Sequence, residues 1–130
     1  MNGKALRGGS AILTVAAAGL LGASFAILTP RPNPWSPFGR HLWAGALANG
    51  SVALLLVAIA AIPLRRGEKW AFWAYLIPIA VYGLPIAILD TLFAPRVTLV
   101  RTLAPQLAGL AAVAVGLALC AMDLFEDKQR

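Results

Sequence analysis

The sequence predicts an all-α integral membrane protein, a bundle of four transmembrane helices with antiparallel neighbours and both termini in the cytoplasm. Three observations predict it. Of 130 residues, 60% are hydrophobic and only 12% are charged, with a mean hydropathy of +0.79; a soluble domain carries roughly 25% charged residues. Four intervals contain no Asp, Glu, Lys or Arg: Gly8 to Pro30, His41 to Leu64, Trp70 to Leu89 and Thr102 to Met122. Each reaches the roughly 20 residues that cross about 30 Å of hydrocarbon at 1.5 Å per residue. The connections between them are short, which pairs sequence neighbours as antiparallel helices. Hydrocarbon offers the backbone no hydrogen-bond partner, so a span is helical, and the alternating strands a closed barrel needs are absent from the sequence. A single membrane domain over 1–130 follows, with helices expected at about 8–30, 41–64, 70–92 and 101–123.

Helix one follows Lys4 and Arg7 and carries Ser10, Thr14, Ala18, Gly22 and Ala26 at every fourth position. Such a stripe has little bulk and lets another backbone approach, which is how helices associate in lipid. The same segment also reads as a cleavable secretory signal with small residues at Gly22 to Ser24, but its uncharged run is longer than a signal core of 7 to 15 residues. A proline- and aromatic-rich loop, Arg31 to Arg40, leads to helix two. There Gly45, Asn49 and Ala53 form one stripe beside Gly50 and Ser51, so Asn49 is expected to face protein and hydrogen-bond across to another helix. A basic turn, Arg65 to Lys69, precedes helix three.

Helix three is the irregular one. Pro78 and Pro85 each remove a backbone donor and displace the carbonyl four residues earlier, and Gly83 lies between them, so a kink is expected. Tyr75, Pro78, Tyr82 and Pro85 follow a 3, 4, 3 spacing and are expected to share a face. Either neighbouring helices satisfy the freed carbonyls, or the interrupted helix lines a cavity for a small molecule. Helix four repeats the small-residue device with Ala108, Ala112, Gly116 and Cys120. Both stripes fit packing within the bundle, with a homodimer interface as the alternative. Cys120 is the only cysteine, so neither an intramolecular disulfide nor a cysteine pair for zinc or redox chemistry exists. The tail from Asp123 to Arg130 reads as a frayed helix end.

Orientation follows from the basic residues. With the N-terminus inside, the cytoplasmic side holds Lys4, Arg7, Arg65, Arg66, Lys69, Lys128 and Arg130, against Arg31, Arg40, Arg96 and Arg101 outside; an excess of Lys and Arg marks the cytoplasmic face. Trp35 and Trp43 near one end of helix two, and Trp70 and Trp73 at the start of helix three, fit aromatic belts. The net charge of +6 does not mark a nucleic-acid binder, because the basic residues are scattered between apolar runs and not gathered on one solvated face.

The candidate polar site lies on the outer rim. Asp90 ends the apolar run of helix three, and a carboxylate there needs pairing or hydration. Arg96 and Arg101 follow in the next connection, Arg40 and His41 begin helix two at the same depth, and Gln106 stands in the first turns of helix four. Structurally, Asp90 would pair with Arg96 or Arg101 to fix the connection. Functionally, the arginines would bind an anionic headgroup or solute while Asp90 or His41 moves protons. Asn49, Tyr75, Pro78, Tyr82 and Pro85 form a second, intramembrane set.

The turn Arg65-Arg66-Gly67-Glu68-Lys69-Trp70-Ala71 resembles the basic Gly-Glu-basic-Trp-Ala connection of small four-helix bacterial membrane proteins. The resemblance covers about ten residues and implies a membrane bundle, with no active-site assignment to transfer. No glycine-rich phosphate loop, helical histidine pair or nucleophile elbow is present in the sequence, so no catalytic residue, metal or cofactor is expected. The leading expectation is a bacterial inner-membrane protein of binding or accessory type, with the lipid bilayer, itself or another membrane protein as partner. A transporter or channel subunit using helix three comes second, and a membrane enzyme acting on a lipid-like substrate at the outer rim third.

Overall fold

The computed structural model describes residues 3–26, 28, 29, 31–93 and 96–125, without the side chains of 90, 91, 93 and 96–103. Among the described residues there is no strand. The helices are α1 (Lys4–Ala26), α2 (Pro37–Ile59) continued by a π-helical turn (Ala60–Leu64), α3 (Lys69–Pro78) continued by a second π-helical turn (Ile79–Gly83), α4 (Leu84–Phe93) and α5 (Arg96–Phe125). Four helical runs are long and apolar enough to cross a membrane: Lys4–Ala26, Pro37–Leu64, Lys69–Leu89 and Ala104–Phe125.

Several helix ends differ from those expected, because the charged residues that bound the apolar runs do not also end the helices. α1 starts at Lys4 and not at 8, and it stops at Ala26 and not at 30. Its exit tightens into i→i+3 bonds, Leu28 N–H to the Phe25 carbonyl at 3.0 Å and Thr29 N–H to that of Ala26 at 3.1 Å, ahead of a proline that disfavours helix in the residue before it. α2 begins at Pro37, inside the stretch expected to be loop. Ser36 caps it, its hydroxyl accepting from Gly39 N–H at 2.9 Å, and Pro37 takes the first position, where a missing donor costs nothing. The preceding loop is tied down by Trp43, whose indole N–H donates to the Pro32 carbonyl at 3.1 Å. α5 begins at Arg96 and not at 101, so Arg96 and Arg101 belong to a helix and not to a connection.

Prolines explain both π turns. Pro63 lies inside the first, where its ring excludes the bond to the carbonyl of Ile59. In the third span, Ile79 N–H bonds the Leu76 carbonyl three residues back, and Leu84 N–H then bonds that of Ile79 five residues back. The helix tightens after Pro78 and widens before Pro85, as a π turn inside a helix does. The second span closes on a Schellman motif. Gly67, at φ +82°, supplies the left-handed residue, with Gly67 N–H on the Leu64 carbonyl at 3.0 Å and Glu68 N–H on that of Pro63 at 3.1 Å.

The hydrophobic core gathers near this turn. Leu6, Leu13, Leu56, Leu64, Tyr75 and Cys120 are among its buried members, drawn from α1, α2 and its π turn, α3 and α5. α1 lies along both α2 and α5. Backbones approach closest at Gly9 and Gly116: a Cβ on Gly9 would stand 2.7 Å from the Gly116 carbonyl oxygen and 2.7 Å from Cys120 Sγ. At the same end Phe72 meets Phe125 edge to face at 5.5 Å between ring centres, with Lys69 Nζ 5.7 Å from the Phe125 centre. Helix α5 runs to Phe125, so Asp123 to Phe125 are helical; residues 126–130 lie outside the described residues.

The small-residue stripes are placed only in part as expected. On helix four, Gly116 and Cys120 are buried, Ala112 is half-buried and Ala108 is exposed. On α1, Ser10 is buried, but Ala18, Gly22 and Ala26 are exposed, and the packed face runs instead through Leu6, Gly9, Leu13 and Ala17. A fourfold spacing advances about 400° around a helix of 3.6 residues per turn, so each step drifts about 40° and the stripe leaves the interface.

Candidate functional site

Four polar groupings stand out in the chain. The rim set divides. Arg40 and His41 lie in the first turns of α2 with exposed side chains, and Gln106 is half-buried in α5. The side chains of Asp90, Arg96 and Arg101 lie outside the described residues. Their backbones fall in α4 and α5, which pack against each other.

The intramembrane set is not one face. Tyr75 is fully buried, and its hydroxyl donates to the Leu13 carbonyl of α1 at 2.9 Å. Tyr82 is 45% exposed and donates to Asn49 Oδ1 of α2. Pro78 is half-buried and Pro85 exposed. The common face expected from the 3, 4, 3 spacing is broken by the π turn between Pro78 and Leu84, which inserts an extra residue into the repeat and turns everything beyond it. The two phenols thus fasten the third span to two different helices, and Asn49 meets another helix through its amide oxygen.

Two further groupings come from chain ends that sequence spacing does not relate. Asp123 Oδ2 accepts from Leu6 N–H at 2.8 Å. Leu6 is the third residue of α1, whose early N–H groups lack intrahelical partners, and no acidic residue stands in that first turn. A carboxylate from α5 therefore caps α1 and complements its positive end. Ser10, buried beside it, returns its hydroxyl to the Arg7 carbonyl at 3.0 Å. Beside this cap, Arg7, Arg65 and Arg66, with Ala61 and Ile62, line an open depression of about 490 Å³. All three arginine side chains are exposed, and no ion pair engages them among the described residues. Glu68, the nearest acid in sequence, instead accepts from the Trp70 indole N–H at 2.6 Å. The basic character of this rim was legible in the sequence. Its joining of Arg7 to Arg65 and Arg66 was not, because Arg7 and Arg65 lie 58 positions apart in the chain.

Among the described residues no group of three His, Cys, Asp or Glu side chains is placed to hold a metal ion. No family model, curated protein or solved structure matches the chain.

Proposed function

We propose that this chain is a bacterial inner-membrane protein of binding or accessory type. It folds as a four-helix bundle with antiparallel neighbours and cytoplasmic termini, and acts as a subunit of a membrane assembly. One observation carries the reading: the third span is the least buried of the four, with 11% of its apolar window buried against 33% for the second. Beyond Pro78 it presents Val81, 72% exposed, and Ile88, 50% exposed. Lipid alone drives no apolar burial, so a sparsely packed helix interrupted by a π turn is a suitable surface for another membrane helix.

The test is extraction of the tagged protein from its native membrane in mild detergent, with a photocrosslinker at Val81 or at Val15 and mass determination of the intact assembly. A stoichiometric partner joined through Val81 and not through Val15 supports the reading. A monomer crosslinked only to lipid at both positions defeats it. A transport or channel subunit is the second reading, favoured by the π turn next to the Asn49–Tyr82 bond within the spans. It requires Asn49→Cys, in a Cys120→Ala background, to react with a water-soluble maleimide.

A further inference from the structure

We propose that the depression lined by Arg7, Arg65 and Arg66 is a specific site for a phosphate-bearing anion, with the phosphate held by guanidinium groups from α1 and from the turn that follows the second span. The inference rests on the reading of the chain as a membrane protein but not on its accessory role.

Position argues for it first. Arg65 and Arg66 follow the last turn of the second span, where a helix C-terminus favours cations. That benefit does not extend to Arg7. It stands in the first turn of α1, where the helix dipole opposes a positive charge. Asp123 is turned to the α1 backbone and not to this guanidinium. Arg7, Arg65 and Arg66 thus line one 490 Å³ depression without an acidic partner among the described residues. An anion bound there supplies the counter-charge that the described neighbours do not.

Chemistry argues next. Guanidinium groups bind phosphate through paired, parallel N–H···O bonds, which a lysine ammonium does not reproduce. The rest of the lining is apolar, Ala61 and Ile62, from the π turn that ends the second span. A depression with a cationic mouth and an aliphatic wall at the end of a membrane helix matches a phospholipid headgroup whose acyl chain runs down past Ile62. A small soluble phosphate compound satisfies the same guanidiniums without using that wall.

The experiment uses the purified full-length protein in nanodiscs of phosphatidylcholine, with phosphatidylglycerol introduced as the probe lipid and glycerol phosphate as the soluble probe. Retained lipid is read by native mass spectrometry and soluble binding by calorimetry. Arg7→Lys, Arg65→Lys and Arg66→Lys keep the charge and remove the paired geometry, and each is expected to lower binding about tenfold, the loss of one charge-assisted hydrogen bond. Lys69→Gln removes a charge from the same rim outside the depression and is expected to change binding less than about twofold, as a screened surface charge does. Selective retention of phosphatidylglycerol identifies a headgroup site; binding of glycerol phosphate alone, with the same arginine dependence, identifies a soluble ligand. The proposal is overturned if the lysine variants bind as the parent does, or if Lys69→Gln loses as much as they do, because the rim then acts only through its net charge. Thermal unfolding of each variant, unchanged from the parent, separates lost binding from lost fold.

Discussion

Around the Arg65–Lys69 turn the helices close on a core; around the opposite ends, where Arg31–Arg40 leads into α2 and α4 leaves the third span, the same aliphatic residues stay largely exposed. Leu13, Leu56, Leu64 and Tyr75 are fully buried in the first region, whereas Val81 and Leu92 are 72% and 69% exposed in the second. Hydrophobicity does not explain the difference, since apolar side chains gain little by leaving lipid for protein. Among the described residues, the closed region has what the open one lacks: a glycine pair that admits two backbones, a carboxylate that caps a facing helix, and a Schellman motif that fixes the turn. The open region has Pro85 and Gly83 in the third span; a π turn does not separate the two regions, since the closed one carries its own around Pro63, with Leu64 fully buried. Tight association in lipid therefore depends on backbone access and polar fastening.

Filling the glycine seam should give the largest effect. Gly9→Ala places a methyl 2.7 Å from a backbone oxygen, so α1 and α5 must move apart. A loss of about 1–3 kcal/mol is expected, as for an overpacked core. Gly22→Ala, with nothing within 4 Å of its Cβ, is expected to be neutral or to gain up to about 1 kcal/mol from helix propensity. Unfolding in mixed micelles with rising dodecyl sulfate, followed by circular dichroism, compares the two. Equal effects at Gly9 and Gly22 would break the distinction between seam and stripe.

Removing the cap comes next. Asp123→Ala leaves Leu6 N–H without its acceptor and is expected to lower stability by about 1 kcal/mol, the usual value of a helix cap. Asp123→Asn keeps an oxygen acceptor while removing the charge, so it should recover part of the loss. Hydrogen exchange at the amide of Leu6 supplies the local reading: faster exchange in Asp123→Ala, with Ala46 unchanged, confines the damage to the closed region. No change at Leu6 would mean that the carboxylate does not hold the end of α1.

How much of this was legible in the sequence depends on the range of the interaction. Spans were readable because hydrocarbon excludes charge residue by residue, and the turn at Gly67 because a left-handed position favours glycine locally. The place of disturbance in the third span was readable from Pro78 and Pro85. Its form was not: a π turn spoils the 3, 4, 3 register on which a common face for Tyr75 and Tyr82 relied. The α1 stripe packs within the chain only near Ser10 for a geometric reason, the drift of a fourfold repeat that carries Ala26 about 160° from Ser10. Asp123 on Leu6, and Arg7 beside Arg65, join residues far apart in the chain, and no periodicity encodes such meetings. The rim around Asp90 stays an expectation, since its side chain and those of Arg96 and Arg101 lie outside the described residues.

The smallest effects belong to the two tyrosines, and they sharpen the comparison most because each fastens the same span in a different region. Tyr75→Phe keeps the buried ring and deletes one bond to the Leu13 carbonyl. Polar contacts between membrane helices average about 0.6 kcal/mol, and this enclosed one should fall between that average and about 1 kcal/mol. Tyr82 and Asn49 are both side chains, so their bond can be isolated by a double-mutant cycle of Tyr82→Phe and Asn49→Ala. A coupling of about 0.6 kcal/mol or less is expected, because Tyr82 is 45% exposed. A coupling larger than the Tyr75→Phe loss would show that the span is anchored as firmly beyond the π turn as before it. The partner surface proposed around Val81 would then lose its physical basis, since a helix held that firmly by its own chain has no loosely packed face to offer.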